Sequence, residues 1–291
     1  MAQYDATPLA MAFDALVFDK DGTLLDFAKT WDPAIFAAIR ECAVGDLERQ
    51  NAVAEVLGFD MRARRCKPGA AVVHLSNGKL ARLLDPHVCG QGRALMDAIS
   101  AGAIEHAAAF PEVAEILAWL SEAGVRMAVA TNDDEASAKA QLARVGLADA
   151  FQGVVFAADS GFGPKPGPSI LVAAAGALYA SPTRCAMVGD ASSDLEAARN
   201  AGFAAAILVG QYDAAKDLAP KADFWIRDLR DLLRPAAETR ADVVLAAGPP
   251  PGEPTEGLET ATRDLDAAVA ADDRKATMAE VVKKDGGEPP R

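Results

Sequence analysis

The sequence predicts an α/β protein with a doubly wound parallel sheet and an inserted, mostly helical domain. Short apolar segments alternate with segments of helical periodicity through the second half of the chain, as in repeated strand–helix units. The apolar segments are continuous rather than alternating, which is typical of strands covered by helices on both faces. Residues 19–125 separate the first two predicted strands, which is too long for one crossover and therefore predicts the insertion.

The first half of the chain yields fewer elements. Residues 12–18 read as a short buried strand. A helix is predicted next, with Asp32 as its N-cap and Pro33 at its first helical position. Residues 60–92 combine basic residues with glycines and give no clear pattern. Regular helical spacing of apolar residues returns after Pro111.

From Arg126 onward, strands and helices alternate at short intervals. The predicted strands are 126–130, 154–157, 185–188, 204–209 and 223–226, and the predicted helices are 135–145, 168–178 and 193–200. We expect a right-handed, parallel arrangement of these units.

These elements predict three parts of the chain. The α/β core would comprise residues 1–23 and 109–234, and the inserted, mostly helical domain would comprise residues 24–108. Residues 235–291 are expected to form an acidic, flexible tail, because a Pro/Gly/Glu-rich linker at 248–257 precedes a segment with few apolar residues.

Composition excludes several classes of protein. The 291 residues suggest about two domains, and 51% hydrophobic residues are ample for a core. The formal net charge of −13 argues against nucleic-acid binding. The four cysteines lack metal-ligand spacing, so we expect reduced thiols. With no secretory signal or membrane-spanning run evident, a cytoplasmic protein without a membrane partner is expected. The oligomeric state cannot be predicted from the sequence.

Charged and polar residues follow the predicted strands where ligands bind in doubly wound sheets, at the carboxyl ends. These residues are Asp19 and Asp21 after the first strand, Thr131 and Asn132 after the second, Lys165 after the third, and Asp190 and Asp194 after the fourth. Four carboxylates at one edge would repel one another unless some were protonated or a cation lay between them. Oxygen ligands suit Mg²⁺, and Thr131 and Lys165 could hold a phosphate beside it. The sequence therefore predicts a phosphoryl-transfer site.

Three segments carry a family resemblance. FDKDGTL at residues 18–24, FPEV at 110–113 and VGDASSD at 188–194, together with Thr131 and Lys165, resemble the haloacid dehalogenase superfamily. The phosphoglycolate phosphatase-like branch is the most similar one. The resemblance implies a Rossmann-like core with a helical cap, and a Mg²⁺-dependent phosphatase acting on a small phosphorylated metabolite such as a phosphoglycolate-like compound or a sugar phosphate.

The resemblance also implies roles for the catalytic residues. Asp19 would be the nucleophile that forms an aspartyl-phosphate. Asp21 would protonate the leaving oxygen and then accept a proton from the attacking water, while its backbone carbonyl would bind Mg²⁺. Lys165 would steady both the phosphate and the nucleophile.

The remaining residues are implied to bind metal or phosphate. Asp19 and Asp190 would be metal ligands. Asp194 would be either a second carboxylate ligand from this segment or the group that orients Lys165. Thr131 and Asn132 would contribute to phosphate binding together with Lys165.

Simpler interpretations stand beside these roles. Asp133 and Asp134 are interpreted as caps of the following helix. Lys20, at a position usually held by an apolar residue in the family, is expected to point away from the site with little effect on chemistry. The basic cluster at 62–67 could reach over the site and bind an anionic part of the substrate, but we favour a solvated face. Trp31 is interpreted as a packing residue.

Three other functions are compatible with parts of the pattern. A phosphosugar mutase of the same fold would return the phosphoryl group to another hydroxyl. A dehalogenase would need neither Asp21 nor the metal site. A non-catalytic protein could retain the pocket for phosphate binding or interaction.

Overall fold

The structure is a computed structural model that describes residues 7–211, 215–236 and 239. Its central sheet has six parallel strands, which are β1 (Ala15–Phe18), β4 (Arg126–Ala130), β5 (Val155–Phe156), β6 (Cys185–Gly189), β7 (Ala205–Val209) and β8 (Phe224–Ile226). Their spatial order is β5–β4–β1–β6–β7–β8. A small antiparallel pair consists of β2 (Phe59–Asp60) and β3 (Arg65–Cys66).

Helices cover the sheet and form the insertion between β1 and β4. The insertion contains α1 (Phe27–Cys42), α2 (Leu47–Leu57), α3 (Ala71–His74), α4 (Asn77–Leu84) and α5 (Gly92–Glu105). The other helices are α6 (Val113–Glu122), α7 (Glu135–Arg144), α8 (Ser169–Ala177) and α9 (Ser192–Asn200). In the described ranges, no helix combines the length and apolar character needed to cross a membrane.

The sheet is buried on both faces, which confirms the predicted α/β class. Leu16 and Phe18 of β1 belong to one apolar cluster, and Ala15 and Val17 belong to a second. Alternate residues of one strand thus enter different cores, as the two-residue period of a strand requires. This double burial explains why the strand sequences are uninterrupted apolar runs.

The insertion has an apolar cluster of its own. Trp31, Ile35 and Ile39 of α1 pack with residues of α2, α4 and α5, including Leu80 and Ile99. The division of the chain into core and cap domains stays a prediction. The predicted tail, apart from residues 235, 236 and 239, lies outside the described residues.

The predicted start of the first helix is wrong. α1 begins at Phe27, and its N-cap is Asp26, whose carboxylate accepts a hydrogen bond from the Lys29 backbone N–H at 3.1 Å. Asp32 instead accepts from the backbone N–H of Cys66 in β3 at 3.0 Å. Pro33 therefore lies inside α1, where the buried face of the helix offsets the hydrogen bond that proline cannot donate.

Candidate active site

The centre of the sheet brings the first polar residues together. β1 lies between β4 and β6, with Phe18 in register with Val129 and Val188. The residues that follow these three strands, Asp19, Thr131 and Asp190, therefore meet at one edge and line a common cavity. This is the geometry on which the predicted site depends.

Lys165 binds two carboxylates in this cavity. Its buried ammonium lies 2.5 Å from Asp19 Oδ1 and 2.7 Å from Asp194 Oδ1. The loop that carries it is fixed by Asn132, whose Oδ1 accepts from the Lys165 N–H at 2.8 Å and whose Nδ2 donates to the Lys165 carbonyl at 3.1 Å. The side chain of Asn132 thus holds the lysine loop, and its phosphate-binding role stays a prediction.

Asp19, Asp190 and Asp194 form a compact acidic cluster. One oxygen from each carboxylate lies within 4.8 Å of the others. The chain leaves room for it with two glycines, because a Cβ at Gly22 would overlap the Asp190 carboxylate and one at Gly189 would overlap the Asp194 carboxylate. Gly22 also has a φ of +87°, a conformation that other residues rarely adopt.

The cluster is electrostatically strained. Burial, reinforced by the Asp194 and Asp21 carboxylates, raises the pKa of Asp19 to about 7 although Lys165 opposes the shift. Burial and the carboxylates of Asp19 and Asp194 also raise the pKa of Asp190 well above its ordinary value. For Lys165, burial favours the neutral amine, but Asp19 and Asp194 outweigh burial and raise its pKa. One ammonium is therefore too little positive charge for three carboxylates, of which those of Asp19 and Asp194 are buried and that of Asp190 is half-buried.

This arrangement fits a divalent cation such as Mg²⁺. The Asp194 Oδ1 atom is buried and has no hydrogen-bond partner among the described residues, although it pairs in charge with Lys165. All donors of the cluster are carboxylate oxygens, the ligand type that hard cations prefer. Asp19, Asp190 and Asp194, three of the predicted metal ligands, are thus brought together. The role predicted for Asp21, which is to bind the metal through its backbone carbonyl, stays a prediction.

Two residues hold the Asp21 carboxylate at the cavity. The Trp31 indole N–H donates to its Oδ1 at 2.7 Å, and the Lys20 ammonium lies 2.7 Å from its Oδ2. Lys20 is absent from the described lining of the cavity, in line with a side chain that turns away from it, but its ion pair with the Asp21 carboxylate was not predicted. The expectation that Lys20 has little effect on the chemistry stays a prediction.

Lys20 is fully buried in a polar network behind the cavity. Its ammonium lies 3.2 Å from Asp133 Oδ2 and donates to Gln141 Oε1 at 2.5 Å. Asp133 also accepts from Ser137 Oγ at 2.9 Å and from the Asn77 side chain of the insertion at 2.9 Å. Asp133 is thus the counter-ion of Lys20.

Asp134 is likewise bound to another part of the chain. It lies at the N-cap position of α7 but makes no side-chain capping hydrogen bond there. Its Oδ2 instead forms an ion pair with Arg93 of α5 at 2.9 Å. The capping interpretation of both Asp133 and Asp134 is wrong, because their carboxylates pair with cations that are distant in sequence.

Thr131 lines the cavity with its hydroxyl group. The residue is buried, and its backbone N–H donates to the Phe156 carbonyl at 3.0 Å. Its Oγ1 accepts from the Asp133 N–H at 3.1 Å, which leaves the hydroxyl hydrogen as the donor this residue can offer to a ligand. This placement is compatible with the predicted phosphate contact.

The cavity wall contributed by the insertion was not predicted from the sequence. The residues of this wall are Phe27, Trp31, Val72, Val73, Leu75 and Asn77. Their sequence signal is weak, since apolar residues at helical spacing also describe an ordinary core. The basic residues at 62–67 are absent from the described lining. Lys67 forms an exposed ion pair with Glu55, in agreement with a solvated face.

Comparison with known proteins identifies the family. The sequence model of the haloacid dehalogenase-like hydrolases matches residues 13–202. A probable phosphatase, IndB, of Dickeya dadantii is 32% identical over 192 residues, which cover 65% of this chain and 78% of that protein. A phosphoglycolate phosphatase of Pseudomonas putida is 28% identical over 238 residues, covering 79% and 82% of the two chains.

The fold agrees with a solved structure. The crystal structure of a predicted phosphoglycolate phosphatase from Haemophilus somnus superposes with a TM-score of 0.56 at 21% identity, covering 76% of this chain and 97% of that one. The sequence match, the sheet order and the cluster at the strand ends agree with one another. The chain is therefore an enzyme that belongs to the haloacid dehalogenase-like hydrolase family.

Proposed function

We propose that this enzyme is a Mg²⁺-dependent phosphatase that hydrolyses small phosphomonoesters through an aspartyl-phosphate (an acyl phosphate) formed on Asp19. The observation that carries the proposal is the cluster of Asp19, Asp190 and Asp194 around the Lys165 ammonium. It offers one buried nucleophile, one fixed cation and an oxygen-only ligand set in a single cavity. The relatives named as phosphatases support the same reaction.

Asp19 is well placed to attack phosphorus. Its Oδ1 is held by Lys165, which fixes the direction of the carboxylate and favours its charged form. Asp19, Asp190, Asp194 and the Asp21 carbonyl would hold Mg²⁺, which when bound neutralises the carboxylates and the phosphate oxygens. The Thr131 hydroxyl and Lys165 would donate to the phosphoryl oxygens.

Asp21 would act as the general acid in the first step and as the general base in the second. Its carboxylate lines the cavity and is oriented by Trp31 and Lys20 from two sides. In the first step it would give a proton to the leaving oxygen as Asp19 bonds to phosphorus. In the second it would take a proton from the water that releases phosphate and regenerates Asp19.

The test is hydrolysis of p-nitrophenyl phosphate by purified protein with Mg²⁺ or with EDTA. Asp19→Asn should abolish phosphate release, while Asp149→Asn, a matched change at an exposed site, should retain it. A hydroxylamine-sensitive phosphate bound to the native protein would report the acyl phosphate of Asp19. Activity in Asp19→Asn would refute the nucleophile. Isomerisation of a sugar phosphate without phosphate release would show a mutase instead.

A further inference from the structure

The cavity has two chemically different sides. The sheet edge supplies the carboxylates, Lys165 and Thr131, whereas the wall from the insertion is mainly hydrocarbon: Phe27, Trp31, Val72, Val73 and Leu75. The rings of Phe27 and Trp31 stack with their centroids 6.2 Å apart. A substrate whose phosphate lies at the sheet edge must therefore place the rest of the molecule against this apolar wall.

The positive charge at the cavity is already engaged. Among the described residues that line it, Lys165 is the cation, and its ammonium pairs with both Asp19 and Asp194. Lys20, behind Asp21, is bound by Asp21 and Asp133. Neither ammonium offers an uncommitted partner to a second anionic group on the substrate.

The lysines and arginines of the insertion are absent from the described lining of the cavity, and three of them are engaged elsewhere. Arg93 binds Asp134, and Lys67 binds Glu55. Arg64 lies over an aromatic ring of the insertion at 4.6 Å. These contacts lie outside the described lining of the cavity, so they add no counter-charge for the distal end of a substrate.

We infer that the enzyme selects phosphomonoesters whose non-phosphate part is uncharged, and that it discriminates against esters with a second negative charge. This inference rests on the proposed phosphatase function. A distal carboxylate would be buried against hydrocarbon without a counter-charge and close to Asp21, which is strongly unfavourable.

A matched series of three esters tests the inference. 2-Phosphoglycolate carries a distal carboxylate, its amide has nearly the same shape without the charge, and ethyl phosphate lacks the polar group. With saturating Mg²⁺, kcat/KM should be roughly tenfold or more higher for the amide and ethyl phosphate than for 2-phosphoglycolate. Hydrolysis of p-nitrophenyl phosphate reports the phosphatase function separately.

A cation placed in the wall should change this preference. Val73→Lys should raise kcat/KM for 2-phosphoglycolate relative to kcat/KM for its amide by roughly tenfold. Val172→Lys, at an exposed site on α8, should leave the ratio unchanged. Preference of the native enzyme for 2-phosphoglycolate over its amide overturns the inference while the phosphatase function stands. If no ester is hydrolysed, including p-nitrophenyl phosphate, both proposals fall.

Discussion

Replacing Lys20 by methionine is the most informative perturbation of this fold. The lysine side chain is fully buried, and its ammonium lies 2.7 Å from Asp21 and 3.2 Å from Asp133. It also donates to Gln141 at 2.5 Å and lies 5.3 Å from the centre of the Trp31 ring. Methionine has a similar length and flexibility, so Lys20→Met removes the charge without leaving a large cavity.

The expected loss of stability follows from the carboxylate left behind. The Asp133 side chain is 2% exposed, and removing one partner of a buried ion pair destabilises a protein by about 3–5 kcal/mol. Asp133 could instead take up a proton. At pH 7 protonation of a carboxyl group with an ordinary pKa near 4 costs about 4 kcal/mol, at 1.36 kcal/mol for each pH unit. The two estimates agree.

Protonation of Asp133 in the variant predicts that the loss of stability depends on pH with a definite sign. Burial already raises the pKa of Asp133 in the native fold, although Lys20 opposes the shift. In Lys20→Met this opposition is lost, so the folded-state pKa rises further above its unfolded value and the free energy of unfolding falls more steeply as pH rises. The destabilisation relative to the native protein should therefore be larger at pH 7 than at pH 5, by at most about 2.7 kcal/mol over the two pH units.

Urea unfolding followed by circular dichroism at both pH values measures these differences. The matched control is Lys139→Met, because Lys139 forms an exposed ion pair with Glu135 and should contribute about 0.5 kcal/mol or less. The double variant Lys20→Met/Asp133→Asn removes both charges and should regain much of the loss. If Lys20→Met lowers the free energy of unfolding at pH 7 by no more than Lys139→Met does, the buried ion pair is refuted.

Three further predictions concern the acidic cluster and the glycines. Burial and neighbouring carboxylates raise the pKa of Asp19 to about 7, so the metal-free protein should lose stability from pH 5 to 8 as this buried carboxyl group becomes charged. The gain in melting temperature on adding Mg²⁺ should therefore be larger at pH 8 than at pH 5. A gain that is independent of pH would contradict this prediction. Gly22→Ala should reduce kcat/KM at least roughly 100-fold, because the new Cβ would collide with the Asp190 carboxylate and because alanine rarely adopts the φ of +87° found at this position. Near-native kinetics would contradict the close contact between Gly22 and Asp190. Gly176→Ala, in α8 with open space around it, should stabilise the protein by about 0.5–1 kcal/mol in urea unfolding, and destabilisation would contradict the open space.

The sequence alone was enough to predict the α/β class and to single out the polar residues of the site. Strands buried on both faces must be apolar along their whole length, so β4 is already visible in the sequence at its observed bounds, Arg126–Ala130. The carboxyl ends of parallel strands meet at one edge, so Asp19, Lys165 and Asp190 could be grouped without coordinates. These conclusions depend on local pattern and on the general geometry of parallel sheets.

The tertiary structure decided which partner each polar side chain takes. Lys20 binds Asp133, Asp133 binds Asn77, and Trp31 donates to Asp21, although none of these pairs has a spacing that indicates contact. Such contacts depend on where the insertion and α7 pack on the end of the sheet. Each polar group that this packing buries needs a partner within hydrogen-bond distance, and only the assembled fold determines which side chain is that close.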